Sequence, residues 1–338
     1  MNPVNLKQLA QELNLSVSTV SRALSDSYEI SATTKAKVQE LARQLGYEPN
    51  PYASSLRRQK SKTIGVVIPE VANNFFSLAI NGIEEVAREN NYHVLIYLTH
   101  DDAAQEATIV QHLASGRVDG LLASVAGATQ DFTHFGKLQA RRTPMVFFDR
   151  VCEEFATAKI TTDDYQSGYQ ATQHLLDAGC LHIAHLLISD RLSIGQKRLQ
   201  GYHDALRDHG LTPDPTLLLH GTPNKAHNQA LIQELLQQNP AVDGIFASVE
   251  TLAMSSYLAC RHLGRRIPED VKIISFSNLE IADLLDPPLT TITQPAYEIG
   301  REAARILFKA ILKNRPTLPT QSQELKSKLI KRRSTATL

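Results

Sequence analysis

Leu15-Ser-Val-Ser-Thr-Val-Ser-Arg-Ala-Leu24 is the stretch on which the reading of this chain turns. Ser16 suits a helix N-cap, because its oxygen can accept an orphan backbone N–H of the first turn. The helix that follows presents Val17, Ser18, Ser21 and Arg22 on one side, while Val20 and Leu24 lie four apart on another. Upstream, residues 5–13 place Leu6, Leu9, Ala10 and Leu13 at helical spacing and read as a short helix. Two short helices joined by a tight turn form a helix-turn-helix, whose second helix fits a DNA major groove. The same pattern describes a helical hairpin that packs and does no more. These residues alone leave both readings open.

The next segment extends the pattern. Ser31 caps a third predicted helix over 32–45, with Val38, Leu41, Ala42 and Leu45 as its apolar stripe. Gly46 stands where a helix C-cap needs positive φ. Three small helices can then bury a common core. Tyr47-Glu-Pro-Asn50 follows, then Ala53, Leu56 and Arg57-Arg58. Pro49 and Pro51 interrupt regular structure, and residues 50–58 are marginal as a helix standing alone. This linker is expected to be mobile without DNA and helical on it.

At 338 residues the chain suggests two or three domains, and a hydrophobic content of 42% suffices for buried cores. Formal net charge is zero but unevenly placed. Residues 1–62 carry nine Lys/Arg against five Asp/Glu, so a head of +4 sits on a body of −4. A basic head fits contact with phosphates. Cys152, Cys180 and Cys260 are far apart and odd in number, which argues for reduced thiols and against a disulfide framework or zinc spacing. No charged-then-apolar leader and no apolar run near 18 residues is present, so neither secretion nor membrane insertion is expected, and a cytoplasmic location is.

From Thr63 the rhythm changes to apolar strands alternating with amphipathic helices. Strands are predicted at 64–69, 92–98, 120–124 and 145–149, with helices at 76–89 and 105–115. A second run follows after residue 160: helices at 165–178, 196–209, 228–238 and 252–263, and strands at 182–188, 217–220, 244–248 and 272–276. A last strand at 289–293 and helix at 296–312 close the body. Two such runs imply two doubly wound parallel-sheet lobes. Ligands of open α/β sheets bind beyond the strands' carboxyl ends, here 69–76, 99–102, 124–127, 149–150, 189–198, 247–250 and 277–278.

Enzyme signatures are missing. There is no G-x-G-x-x-G after the first strand, no Walker A, no H-E-x-x-H and no G-x-S-x-G. His182 and His185, three apart on a predicted strand, point to opposite faces and cannot share a metal. Asp101-Asp102 and Asp163-Asp164 read as helix caps rather than acid/base pairs. No catalysis, cofactor or metal is expected.

The chain resembles the LacI/GalR family of bacterial transcription regulators. The resemblance is carried by the helix from Ser16 to Leu24, by Leu45-Gly-Tyr-Glu-Pro-Asn50 and by Ala53-Ser-Ser-Leu56. It continues through Thr63-Ile-Gly-Val-Val-Ile-Pro69, Phe148-Asp-Arg150, Gly201-Tyr202, Pro268-Glu-Asp-Val271, Pro288-Leu-Thr-Thr-Ile292 and Arg332-Arg-Ser-Thr335. These span nearly the whole chain in family order. The fold implied is an N-terminal three-helix helix-turn-helix domain plus an α/β periplasmic-binding-protein type I core. The implied division is a head at 1–47, a hinge at 48–61, a first lobe at 62–161 and 291–323, and a second lobe at 162–290 and 324–338.

The function implied is sequence-specific binding of a palindromic double-stranded operator by a homodimer, with repression the commoner outcome. DNA contacts are expected from Leu6, Ser16, Val17, Ser18, Thr19, Ser21 and Arg22, and from Asn50, Ala53, Leu56 and Arg57 in the hinge. Leu56 matches a leucine that wedges into the minor groove and kinks the duplex. Absence of leucine heptads after the closing segment 325–335 favours a dimer over a tetramer. The expected effector positions are Asn74, Phe75, Phe76, Ser124, Asp149, Arg198, Val249, Ser277 and Asn278. The phenyl rings can meet a ring, Asp149 can accept from hydroxyls, and the Arg198 fork suits an oxygen-rich ligand. Val249-Glu250 replaces a usual asparagine-aspartate pair and Ser277 a usual aspartate; Asn278 can restore part of the lost polarity. The resemblance therefore implies a sugar or sugar derivative as effector without singling out an unmodified hexose or pentose, and leaves a phosphorylated sugar or a partner protein such as a phosphocarrier protein open. A solute-binding protein shares the two-lobed body but has a leader and lacks the head.

Overall fold

Asparagine and serine caps start the three helices described in the N-terminal unit, Met1–Ser61. Asn5 Oδ1 accepts from Gln8 N at 3.1 Å, Ser16 Oγ from Thr19 N at 3.1 Å, and Ser31 Oγ from Thr34 N at 3.2 Å. The caps fix α1 (Leu6–Glu12), α2 (Val17–Leu24) and α3 (Ala32–Gln44) close to their predicted bounds. Leu9, Ala10, Val20, Ala23, Val38 and Ala42 form the shared core. Gly46 has φ +63°, as the C-cap position requires. The computed structural model describes residues 4–47, 60–189, 191–222 and 224–337. Asn50, Ala53, Leu56 and Arg57 of the predicted hinge lie outside them.

The second unit, Lys62–Leu338, holds two six-stranded sheets. In the first, β1 (Thr63–Ile68) lies between β2 (His93–Leu98) and β3 (Gly120–Ala123), followed by β4 (Met145–Phe148), β5 (Ala158–Thr162) and β11 (Gln323–Leu325), all parallel. In the second, β7 (Leu218–His220), β6 (Ile183–Leu187), β8 (Gly244–Ala247), β9 (Lys272–Phe276) and β10 (Thr290–Thr293) run parallel, and β12 (Lys328–Ile330) pairs antiparallel with β10. Helices α4 (Asn74–Glu89), α5 (Ala103–Leu113), α6 (Thr133–Ala140) and α11 (Ala296–Lys313) cover the first sheet. Helices α7 (Asp164–Asp177), α8 (Ser193–Asp208), α9 (Lys225–Gln238) and α10 (Glu250–Leu263) cover the second. The central strands are apolar almost throughout because both faces are covered.

Two differences from the sequence reading concern where the chain changes lobe, and a third is an additional strand. The sequence reading places residues 291–293 in the first lobe, but β10 pairs with β9 and belongs to the second sheet, so the return falls just before α11. Residues 324–325 were assigned to the second lobe, but β11 pairs with β5. Strand β5, Ala-Lys-Ile-Thr-Thr, carries no continuous apolar run and was passed over. The chain thus crosses between lobes at 162–164, 293–296 and 325–328.

Close helix approach fixes the second lobe. A Cβ on Gly201 of α8 would lie 2.3 Å from the Tyr165 carbonyl oxygen, and one on Gly168 of α7 would lie 2.5 Å from that of Arg198. Both contacts are backbone, so nothing flexible can yield. Gly201→Val is expected to cost at least the ~1–3 kcal/mol typical of overpacking. Gly136→Ala, in α6 with open space around its Cα, is expected to be neutral or stabilising by about 0.5–1 kcal/mol. Urea unfolding followed by circular dichroism checks both; equal destabilisation would contradict the close crossing.

Candidate functional site

The head presents one polar face. On α2, Val20 and Ala23 are fully buried, which turns Val17, Ser18 and Arg22 outward. Val17 is 37% exposed despite being apolar. Arg22 Nη1 donates to Glu29 Oε2 at 2.7 Å, with both side chains near half exposed. The sequence reading did not foresee this pair, since Glu29 lies in the turn after α2. Ser16 Oγ sits 2.8 Å from the hydroxyls of both Ser18 and Thr19 while it caps the helix, so those side chains form one cluster at its start. Ser21 is half-buried, and its carbonyl accepts from Ser25 Oγ. Leu6 is half-buried against the head core, which gives it a packing role in the free chain.

The other site is the cleft between the lobes. Asn73 caps α4 by accepting from Phe75 N at 2.9 Å, and this places Phe75 and Phe76 in the first helical turn with rings edge to face, 5.3 Å apart. Asp149 follows β4 in the left-handed region at φ +59°, a conformation that costs energy in a non-glycine residue and tends to mark functional positions. Its carboxyl is buried and held above the ordinary carboxylate range by desolvation, with Arg150 and Arg198 pulling the other way. Ser124 is fully buried behind it and donates to Asp149 Oδ2 at 3.4 Å. It therefore supports Asp149 rather than lining the cavity. Arg150 Nη1 pairs with Asp101 Oδ1 at 2.5 Å, and its guanidinium carbon stands 5.8 Å from the Phe76 ring centre.

From the second lobe, Arg198 enters at 3% exposure. Its Nε and Nη2 reach Asp164 Oδ1 at 2.8 and 2.7 Å, its Nη1 donates to the Ser248 carbonyl at 2.8 Å, and its guanidinium lies 3.7 Å over the Phe276 ring. The Gly168–Gly201 crossing brings α7 and α8 close enough for this pair. Asp164, which the sequence suggests as a helix cap, is instead the buried counter-ion of Arg198. The missed signal was charge: a buried arginine almost always has a partner. Asp163 also makes no cap and accepts from Ser327 N across a lobe crossing, whereas Asp102 does cap α5.

Val249, Glu250, Ser277, Asn278 and Gln294 complete the lining with Ile194 and Phe276. Of the predicted effector residues, Phe75, Phe76, Asp149, Arg198, Val249, Ser277 and Asn278 line one cavity; Ser124 and Asn74 do not. Asn74 bonds to Glu250 instead. Asn278 Nδ2 donates to the Gln294 carbonyl at 2.8 Å, leaving Asn278 Oδ1 buried without a partner among the described residues. His182 and His185 do face apart: His185 is buried, stacked between Tyr202 and Phe246, and His182 is exposed. Burial lowers His185 to about 3, so it stays neutral.

Burial raises Asp164 to about 6, above its ordinary 3.8, although Arg198 opposes the shift. Between those values the folded state holds a proton that the unfolded chain has released. The Asp164 contribution to stability is therefore greatest at acidic pH and declines as pH rises through about 6. Thermal melts of wild type and Asp164→Asn from about pH 4 to about pH 7 are expected to show the wild type losing ground to the variant as pH rises. A constant gap would contradict this.

A capped helix-turn-helix with an exposed polar face, joined in one chain to a two-lobed body whose cleft is lined by aromatic rings, arginines and carboxylates, defines the class of DNA-binding regulators built on a periplasmic-binding-protein-like body. Residues 5–50 match the model for bacterial regulatory proteins of the lacI family, and residues 61–334 that for periplasmic binding proteins and the sugar binding domain of the LacI family. The chain belongs to the LacI family. It is 32% identical over 303 residues to the HTH-type transcriptional repressor CytR of Escherichia coli (strain K12), covering 90% of this chain and 88% of that one. A solved CelR–cellobiose complex matches with 27% identity and a TM-score of 0.74 over 98% of this chain and 99% of that one. The lac repressor dimer bound to operator and the anti-inducer ONPF shares the fold, with a TM-score of 0.85 at 23% identity over 99% of each chain. CytR is a transcriptional repressor and CelR a transcriptional regulator.

Proposed function

We propose that the chain is a homodimeric repressor in which each head reads one half of a palindromic operator and an effector in the inter-lobe cleft sets DNA affinity. The observation that carries this is the outward face of α2, where Val17, Ser18 and Arg22 stand on a helix whose opposite side is the head core. In this reading Val17 and Ser18 approach base edges, Arg22 meets a guanine or phosphate, and Ser16, Thr19 and Ser21 meet phosphates, while Leu6 seats the helix. In the hinge, Leu56 wedges into the minor groove with Ala53 and Arg57 beside it, and Asn50 helps seat the hinge. The edge strand β2 exposes Leu95 and Ile96 by 42% and 41%, an apolar edge that a second copy can cover.

In the cleft, Phe75 and Phe76 flank a ring, while Asp149, Ser277 and Asn278 offer hydroxyl partners. Both arginines already have carboxylate partners, so the cleft suits an uncharged sugar-like effector better than a phosphorylated one. The cellobiose bound by CelR supports that class. No helix among the described residues is long and apolar enough to cross a membrane; operator binding would place the protein in the cytoplasm.

Selection of random duplexes by the purified protein tests the reading. It is expected to enrich a palindrome with a fixed centre. Enrichment of no sequence, with and without a panel of sugars, would overturn it.

A further inference from the structure

Glu250 joins the two lobes. It opens α10 in the second lobe, yet its Oε1 accepts from the backbone N and the Nδ2 of Asn74 in the first, at 3.4 and 3.3 Å. Its Oε2 accepts from Ser277 Oγ at 3.2 Å, which holds the carboxylate from its own side. The carboxylate thus meets the first turn of the sixteen-residue α4, where the helix dipole favours negative charge. In the same cavity lining, Asn278 Oδ1 is buried without a hydrogen-bond partner among the described residues, an unsatisfied group that a polar ligand can relieve.

We propose that Glu250 is an internal ligand of the cleft. It holds the lobes together in the free protein, and an effector binds by taking Asn74 and Ser277 from it. The proposal rests on the cleft being the effector site. All three bonds are longer than the ~2.7–2.9 Å of strong charge-assisted ones, which makes the latch releasable. While it is closed, apparent effector affinity falls by the fraction of molecules that are open. The charge of Glu250 also selects, since an anionic effector would meet it head on. One other described tie between the lobes, Lys197 to Glu153 at 2.9 Å, is a solvent-exposed ion pair, of the kind that contributes little.

Spin labels on Gln130→Cys and Lys225→Cys, exposed and one on each lobe, report the separation in the full-length chain. The three native cysteines are buried and escape labelling. Pulsed-EPR distances in the free protein are expected to shift longer and broaden in Glu250→Ala. They should stay near the parent in Glu250→Gln, whose amide oxygen still accepts from Asn74. Asn74→Ala, which removes one of the two first-lobe donors, is expected to shift in the same direction by less. Distances unchanged in both alanine variants, with circular dichroism showing intact folds, would overturn the latch. Titration of the selected duplex separates the two claims. Opening with altered operator affinity supports both, whereas opening with unaltered affinity supports the latch and contradicts control of DNA binding through the cleft.

Discussion

Arg198→Ala is expected to lower unfolding free energy by about 3–5 kcal/mol, the usual cost of removing one partner from a buried ion pair, and to abolish the effector response. The guanidinium ties α8 to Asp164 at the start of α7, to the Ser248 carbonyl after β8 and to the Phe276 ring on β9. Its loss strands Asp164, which is 1% exposed. Replacing both charges by apolar residues of similar size, Arg198→Met with Asp164→Leu, is expected to restore most of the stability, because no buried charge is then left unpaired. It is not expected to restore the response. Urea unfolding together with operator titration across a sugar panel reads both effects. A double variant as unstable as the single one, or a single variant that still responds, would contradict the assignment.

Arg22→Ala is expected to remove operator discrimination while leaving the fold intact. A bidentate arginine–guanine contact discriminates by ~1–3 kcal/mol, and a dimer makes it twice. In the free head Arg22 is paired with Glu29, but an exposed pair is worth only ~0–1 kcal/mol, so contact with DNA can displace it. Titrations of the selected operator and of a scrambled duplex, at one fixed salt concentration, are expected to converge for the variant. An operator preference equal to that of the wild type would show that Arg22 does not read the site.

Much of the architecture was legible because it rests on local signals. Ser16 and Ser31 are helix caps in sequence and in structure, Gly46 has the positive φ its position demanded, and β1 reads as the buried strand it is. The rule that ligands gather at strand carboxyl ends located the cleft, since Asp149, Val249, Ser277 and Asn278 all follow strands and share one cavity. What escaped depends on partners distant in sequence. β5 alternates buried and half-buried residues with threonines and a lysine, so its apolar signal is weak. β10 resembles any apolar strand, and only its pairing with β9 assigns it to the second lobe. Asp164 and Glu250 show their roles only when Arg198 and Asn74 arrive from other elements, 34 and 176 residues away.

Dimeric readout of paired half-sites is tested most directly by one titration. The selected palindrome and a duplex with one half-site scrambled are compared for binding by the full-length protein at a single salt concentration. Loss of one head's base contacts, each worth ~1–3 kcal/mol, is expected to weaken binding by at least tenfold. Equal affinity for the two duplexes would mean that the heads do not read paired half-sites, and the dimeric repressor mechanism would fail.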